Sequence, residues 1–144
     1  MIREWANERN GSSKMNVILG PVYDWNLNTQ RDSYHEVATS VAWVLDTPLP
    51  SHYFLVATRC SESLPLSMCP LQQLQVLSMV LPNTNEVRIC QTMEDYLAVY
   101  LTSLQDVELI TGLQLFPDLD TSEDSEVDVL RFKNRRTSLD DWIG

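Results

Sequence analysis

Residues 24 to 32 read Asp-Trp-Asn-Leu-Asn-Thr-Gln-Arg-Asp, and they carry the clearest chemistry in the chain. Side-chain oxygens fall at Asp24, Asn26, Asn28 and Asp32, and Gln30 can add its backbone carbonyl. A calcium ion gathers about six to eight oxygens at about 2.3–2.6 Å, and a tightly curled loop turns alternate residues inward. The spacing reproduces the first part of an EF-hand loop, a hard-cation pattern. It departs at Thr29, where glycine normally supplies positive φ; a β-branched residue held there costs about 1–3 kcal/mol. It departs again at His35, in the place of the bidentate glutamate, although Glu36 follows. Two formal charges among the donors set the affinity in the weak range of about 10⁻⁴–10⁻³ M. The competing reading of these residues is an Asx-rich surface turn.

Three cysteines, Cys60, Cys69 and Cys90, are the next chemical groups. In an oxidising compartment an odd count implies one internal bridge and one thiol left for a partner elsewhere. In a reducing compartment all three would be thiols. His35 and His52 are the two histidines. The net charge of −10 repels a phosphate backbone, so strong nucleic-acid binding is not expected. Arg131, Lys133, Arg135 and Arg136 gather near the end, but Asp124, Glu126, Asp128, Asp140 and Asp141 flank them. Residues 133–144 therefore read as a solvated, mixed-charge tail behind a domain of residues 1–132. No run of about 18 apolar residues is present, so no membrane contact is expected of this segment. The N-terminus is too polar for a secretory signal, which also fits a fragment whose signal lies upstream. Asn10-Gly11-Ser12 forms a glycosylation triplet.

These groups must be positioned by a short list of elements. Ile2 to Arg9 reads as a helix end closed by Asn10-Gly11. Met15 to Leu19 reads as a buried strand stopped by Gly20-Pro21. His35 to Leu45 fits one helix, broken at Pro48 and Pro50. Tyr53 to Cys60 and Leu74 to Leu81 are strands, with Ser61 to Pro70 a loop between them. Met93 to Ile110 carries apolar residues at helical spacing as a single helix, with Gly112 at its C-cap. Asp118 to Asp128 reads as a mobile acidic loop. Strands with helices between and after them make an α+β arrangement. Three strands and two helices give a thin core, which implies a domain extending beyond this chain.

Glu8-Arg9-Asn10-Gly11, Asn16-Val17-Ile18 and Gly20-Pro21-Val22-Tyr23-Asp24 together resemble a stretch of the ectonucleotide pyrophosphatase/phosphodiesterase family. Pro50-Ser51-His52-Tyr53-Phe54 resembles that family's Pro-Thr-His-Tyr strand. Val80-Leu81-Pro82-Asn83 followed by Cys90 is similar to its Ile-Leu-Pro-His segment. Asp106 to Leu113, Asp-Val-Glu-Leu-Ile-Thr-Gly-Leu, is similar to a helix end of the family. The blocks keep family order from about Trp5 to Phe132, and the ordered set is more specific than any one of them.

The resemblance implies the C-terminal half of a nuclease-like domain with the DNA/RNA non-specific endonuclease (ββα-metal) fold, a central mainly antiparallel sheet flanked by helices. In the family this domain follows a phosphodiesterase domain with two zinc ions and a threonine nucleophile, which nothing here matches. Working endonucleases carry an Asp-Arg-Gly-His motif and a metal-binding Asn, in the half absent here. His35 and His52 stand outside any such motif and read as packed or surface histidines, so no catalytic residue is expected in this chain. The resemblance also implies a structural calcium site at Asp24, Asn26, Asn28, the Gln30 carbonyl and Asp32, and a local Cys60–Cys69 disulfide. It assigns Cys90 to a bridge with the upstream phosphodiesterase domain. The location implied is extracellular, either secreted or in the ectodomain of a membrane-anchored parent. The expected role is a non-catalytic, calcium-binding structural and interaction module. The alternatives are part of a divergent metal-dependent endonuclease, or an intracellular adaptor holding three reduced thiols. A half-domain would expose apolar surface and be poorly soluble alone.

Overall fold

The structure is a computed structural model that describes residues 15–23, 43–44, 47–62, 64–84, 91–117 and 125–143. Six strands and four helices occur among them, apart from a 3-10 turn at Leu66–Met68. The strands are β1 (Asn16–Val22), β2 (Trp43–Val44), β3 (Thr47–Pro48), β4 (His52–Cys60), β5 (Leu74–Pro82) and β6 (Leu101–Thr102). The helices are α1 (Met93–Ala98), α2 (Leu104–Thr111), α3 (Glu126–Asn134) and α4 (Leu139–Ile143). β1, β4, β5 and β6 form one antiparallel sheet in that order, and β2 pairs with β3 in a small ribbon.

The sheet is centred on β4 and β5, which pair from His52↔Pro82 to Cys60↔Leu74. Both strands are apolar at consecutive positions because both faces of the sheet are covered there. Alternation assigns Phe54, Val56, Leu74 and Val76 to one face, where they meet Val22, Leu104 and Val107 of α2, and Val129 and Phe132 of α3. The opposite face carries Leu55, Ala57, Leu77 and Met79 under Trp142 of α4, with Leu97 and Leu139 at the margin. β1 adds Val17 and Leu19 to this second face, opposite Ala57 and Leu55. Here cover fails: Val17 is 44% exposed, Leu19 64% and Tyr53 40%.

The two long strands form as their β-branched and aromatic composition predicts. Other segments differ from expectation. β1 runs through Gly20-Pro21 instead of stopping there. Proline is tolerated on an edge strand, and Gly20 lets the strand cross the ring of Phe54. A Cβ at that glycine would lie 2.6 Å from Phe54 Cε1.

The stretch from Met93 to Ile110 is two helices, not one. Leu101 and Thr102 leave the helical path to pair with Met79 and Ser78. Ser103 then caps a new helix: its hydroxyl accepts from the Asp106 N–H at 3.1 Å, and the Asp106 carboxylate accepts from the Ser103 N–H at 3.2 Å. This reciprocal box satisfies two amides that an interrupted helix would otherwise leave bare. Gly112 ends α2 in the left-handed conformation, φ 67°, as expected of a C-cap.

Trp43–Val44 is strand, so the helix expected over 35–45 does not include these two residues. Residues 126–128, read as the end of a mobile loop, form the first turn of α3, capped by Ser125. The terminal stretch read as a solvated tail holds α4, and Trp142 is only 3% exposed. The helix expected before Asn10 lies outside the described residues.

Candidate functional site

Three of the family-like blocks, distant in sequence, arrive side by side at one end of the sheet. Val22 of β1 pairs with His52 of β4, and His52 pairs with Pro82 of β5. Gly20-Pro21-Val22, Ser51-His52-Tyr53 and Leu81-Pro82-Asn83 thus form one edge, and the oxygen-rich loop leaves that edge directly after Tyr23.

Ser51 is the knot of this edge. Its backbone N–H donates to the Val22 carbonyl at 2.9 Å, and its hydroxyl donates to the same oxygen at 3.0 Å. Its own carbonyl accepts from the Asn83 N–H at 2.8 Å, while the Asn83 side-chain amide donates to the Pro50 carbonyl at 2.9 Å. His52 Nδ1 sits 2.9 Å from Ser51 Oγ. With the serine proton directed to Val22, Nδ1 is the donor in that contact. A histidine donating to the serine oxygen tethers the chain at this corner. The effect is to fix the exit of β1, where residues 24–32 begin. No spacing signal announces this knot, because its members come from three separate segments.

Asp24, Asn26, Asn28, Gln30 and Asp32 lie outside the described residues, as do Thr29, His35, Cys90 and Asn10. Among the described residues, no group of three His, Cys, Asp or Glu could hold a metal ion.

At the opposite end of β4, Cys60 and Cys69 are joined in a disulfide, with Cα atoms 5.8 Å apart. The bridge ties the end of β4 to the loop carrying the 3-10 turn, and Cys60 is buried on the α2–α3 face of the sheet. It removes the reading in which all three cysteines are thiols.

Two charged contacts fix the helices. Lys133 of α3 meets Glu108 of α2 at 3.2 Å, with side chains only 7% and 10% exposed. Glu108 also accepts from the Leu115 N–H at 3.0 Å. Burial by itself would raise the Asp106 carboxyl, but hydrogen bonds from the Ser103 side chain, Thr102 and the Ser103 backbone, with the charge of Arg136, hold it below the ordinary aspartate value. On the second face, Arg59 stacks 4.5 Å from the Trp142 ring and donates to the Trp142 carbonyl at 2.6 Å. Composition does not reveal that clamp. The Ser103 and Asp106 spacing is a capping signal that was open to a sequence reading.

Comparison with known proteins agrees with the resemblance. The chain is 34% identical over 127 residues to venom phosphodiesterase 2 of Crotalus adamanteus, covering 83% of this chain. It is 37% identical over 131 residues to a venom phosphodiesterase of Macrovipera lebetinus, again over 83% of this chain. Ectonucleotide pyrophosphatase/phosphodiesterase family member 1 of Rattus norvegicus is 32% identical over 145 residues, covering 92% of this chain. No family model matches the chain. The chain spans only 14–15% of the length of these relatives. Such identity over most of the chain means that this segment belongs to the ectonucleotide pyrophosphatase/phosphodiesterase family.

Proposed function

We propose that this chain is a non-catalytic structural module of an extracellular nucleotide pyrophosphatase/phosphodiesterase, the C-terminal part of its nuclease-like domain, and that it leans on upstream parts of that protein. The observation that carries the reading is the match to a small fraction of much longer relatives, joined to an uncovered apolar sheet face at Val17, Leu19 and Tyr53. Apolar residues at that exposure, beside a strand edge with no partner among the described residues, fit a surface covered by more chain. The disulfide supports an oxidising location. It also counts against an intracellular adaptor. No helix among the described residues is long and apolar enough to cross a membrane.

In this reading calcium belongs to the loop at residues 24–32. Two carboxylates, two carboxamides and a backbone carbonyl are a hard oxygen set that suits calcium, and the Ser51 knot anchors the loop's N-terminal end. The ion would serve folding and take no part in chemistry. With an affinity of about 10⁻⁴–10⁻³ M, 10 mM calcium should stabilise the fold by about 1.4–2.7 kcal/mol. The test is thermal melting in chelator and in 10 mM calcium, for the wild type and for Asp24→Ala/Asp32→Ala. An equal midpoint in both conditions for the wild type removes calcium from the proposal. Cys90 is assigned to a bridge with the phosphodiesterase domain. In a parent carrying both domains, a non-reducing peptide map should join Cys90 to that domain, and a free Cys90 thiol would refute the assignment.

A further inference from the structure

We propose that the Arg136–Thr137 bond is a processing site for a trypsin-like serine endoprotease that reads paired arginines, and that its hydrolysis separates the strap that carries α4, from Thr137 onward, from helix α3. Four observations converge on this bond. Arg135 and Arg136 are both exposed, with the Arg136 side chain 70% exposed. Residues 135–138 leave helix α3 and run without regular structure to α4; Arg135 is extended, at φ −68° and ψ 130°. That is the backbone shape an endoprotease cleft accepts, because the substrate must lie as a strand against it. The segment is held at both ends, by buried Phe132 and Lys133 before it and buried Trp142 after it, so the arginine pair is presented between two anchors.

Neither arginine is sequestered by strong pairing. Arg136 meets Asp106 at 3.5 Å with both side chains well exposed, a contact of the kind worth about 0–1 kcal/mol. Lys133, by contrast, is engaged with Glu108 in the interior, so the readable basic pair is Arg135-Arg136 and not the longer run. The reaction is hydrolysis: water adds across the amide, leaving a carboxylate on Arg136 and an ammonium on Thr137.

What the cut releases follows from how the strap is held. Cys60, Cys69 and Cys90 all precede residue 137, so no disulfide among the cysteines of this chain holds the strap. Helix α4 has five residues, far below the length at which an isolated helix persists. Among the described residues its attachments to the sheet include the Trp142 side chain on the second face, Leu139 at the margin and the Arg59 clamp. A cleft must also engage residues after the bond, where Ser138 caps α4 through the Asp141 N–H at 3.0 Å. The clamp therefore sets how often the bond is fully presented. Loss of the strap bares Leu55, Ala57, Leu77 and Met79 beside the already exposed Val17, Leu19 and Tyr53, and one face of the sheet becomes continuous apolar surface.

The test incubates the oxidised 144-residue chain with trypsin at low ratio and follows peptide Thr137–Gly144 by mass spectrometry. That peptide should be an early product, and Arg135→Gln/Arg136→Gln should abolish it. Arg59→Gln, which loses the cation–π contact and a charge-assisted hydrogen bond, should release it about tenfold faster. Trp142→Phe, which keeps most of the packing, should give a smaller acceleration and serves if Arg59→Gln does not melt cooperatively. After the cut, binding of an apolar dye should rise. The proposal is overturned if the bond survives while others are cut, if weakening the clamp leaves the rate unchanged, or if the cleaved peptide stays bound. Calcium binding and family membership do not enter the outcome.

Discussion

Breaking the Cys60–Cys69 bridge gives a sharp test of how this segment is held together. The bridge has a sequence separation of 9, and closing a loop of about ten residues restricts the unfolded chain by about 2.7 kcal/mol in the chain-entropy model. For a chain of this size a loss of that order lowers the melting midpoint by about 5–10 °C. Cys60 adds a second effect, because it is buried on the α2–α3 face of the sheet. Replacing it by alanine removes a sulfur from a packed site and costs about a further 1 kcal/mol. Three samples separate the two effects: oxidised wild type, wild type in reductant, and Cys60→Ala/Cys69→Ala. Urea unfolding should rank them in that order, with the larger gap between the first two. If the reduced wild type unfolds at the oxidised midpoint, the loop is already restrained by its 3-10 turn and the entropic account fails.

Four further outcomes follow from named contacts. Gly20→Ala drives a Cβ into the buried Phe54 ring and should cost about 1–3 kcal/mol, read by a melting curve; an unchanged midpoint would show that the ring yields freely. Lys133→Met leaves the Glu108 carboxylate buried without its ammonium and should cost about 3–5 kcal/mol. Lys133→Met/Glu108→Gln should recover part of that loss in the same urea titration. The Asp106 carboxyl is held below its unfolded value, so its charge stabilises the fold above the unfolded aspartate value of about 3.9, and the benefit is lost as pH falls through the lower folded value. Wild type should therefore exceed Asp106→Asn in stability at neutral pH and converge with it in acid; a gap that persists at the lowest pH would assign the effect to packing. With Val17, Leu19 and Tyr53 exposed on one face, the isolated chain should self-associate, and Leu19→Lys should shift it toward monomer in light scattering. A wild-type chain that is already monodisperse would show that this face needs no cover.

Much of the scaffold could be read directly. His52–Cys60 and Leu74–Pro82 stand close to where β-branched and aromatic runs placed them, because a strand buried on both faces must be apolar at nearly every position. The C-cap at Gly112 was legible for an equally local reason, since few residues other than glycine take positive φ cheaply. The family blocks were legible as an ordered set, and the relatives bear that out. The cation loop was legible as a donor pattern alone, and its residues lie outside those described.

The single helix expected over Met93 to Ile110 failed for a nonlocal reason. Periodicity sees apolar spacing, but β5 offers Leu101 and Thr102 a ladder to join, and only the folded sheet brings that edge within reach. The terminal stretch failed likewise: its charges describe a solvated surface, while Trp142 finds Arg59 across 83 residues of sequence. Which end of the sheet gathers Val22, Ser51 and Asn83 was decided by strand register. Sequence alone determined the local conformations and the family pattern, because backbone preference and donor spacing act over a few residues. Pairing, clamp and open face were decided by tertiary structure, because each needs surfaces that meet only once the chain has folded.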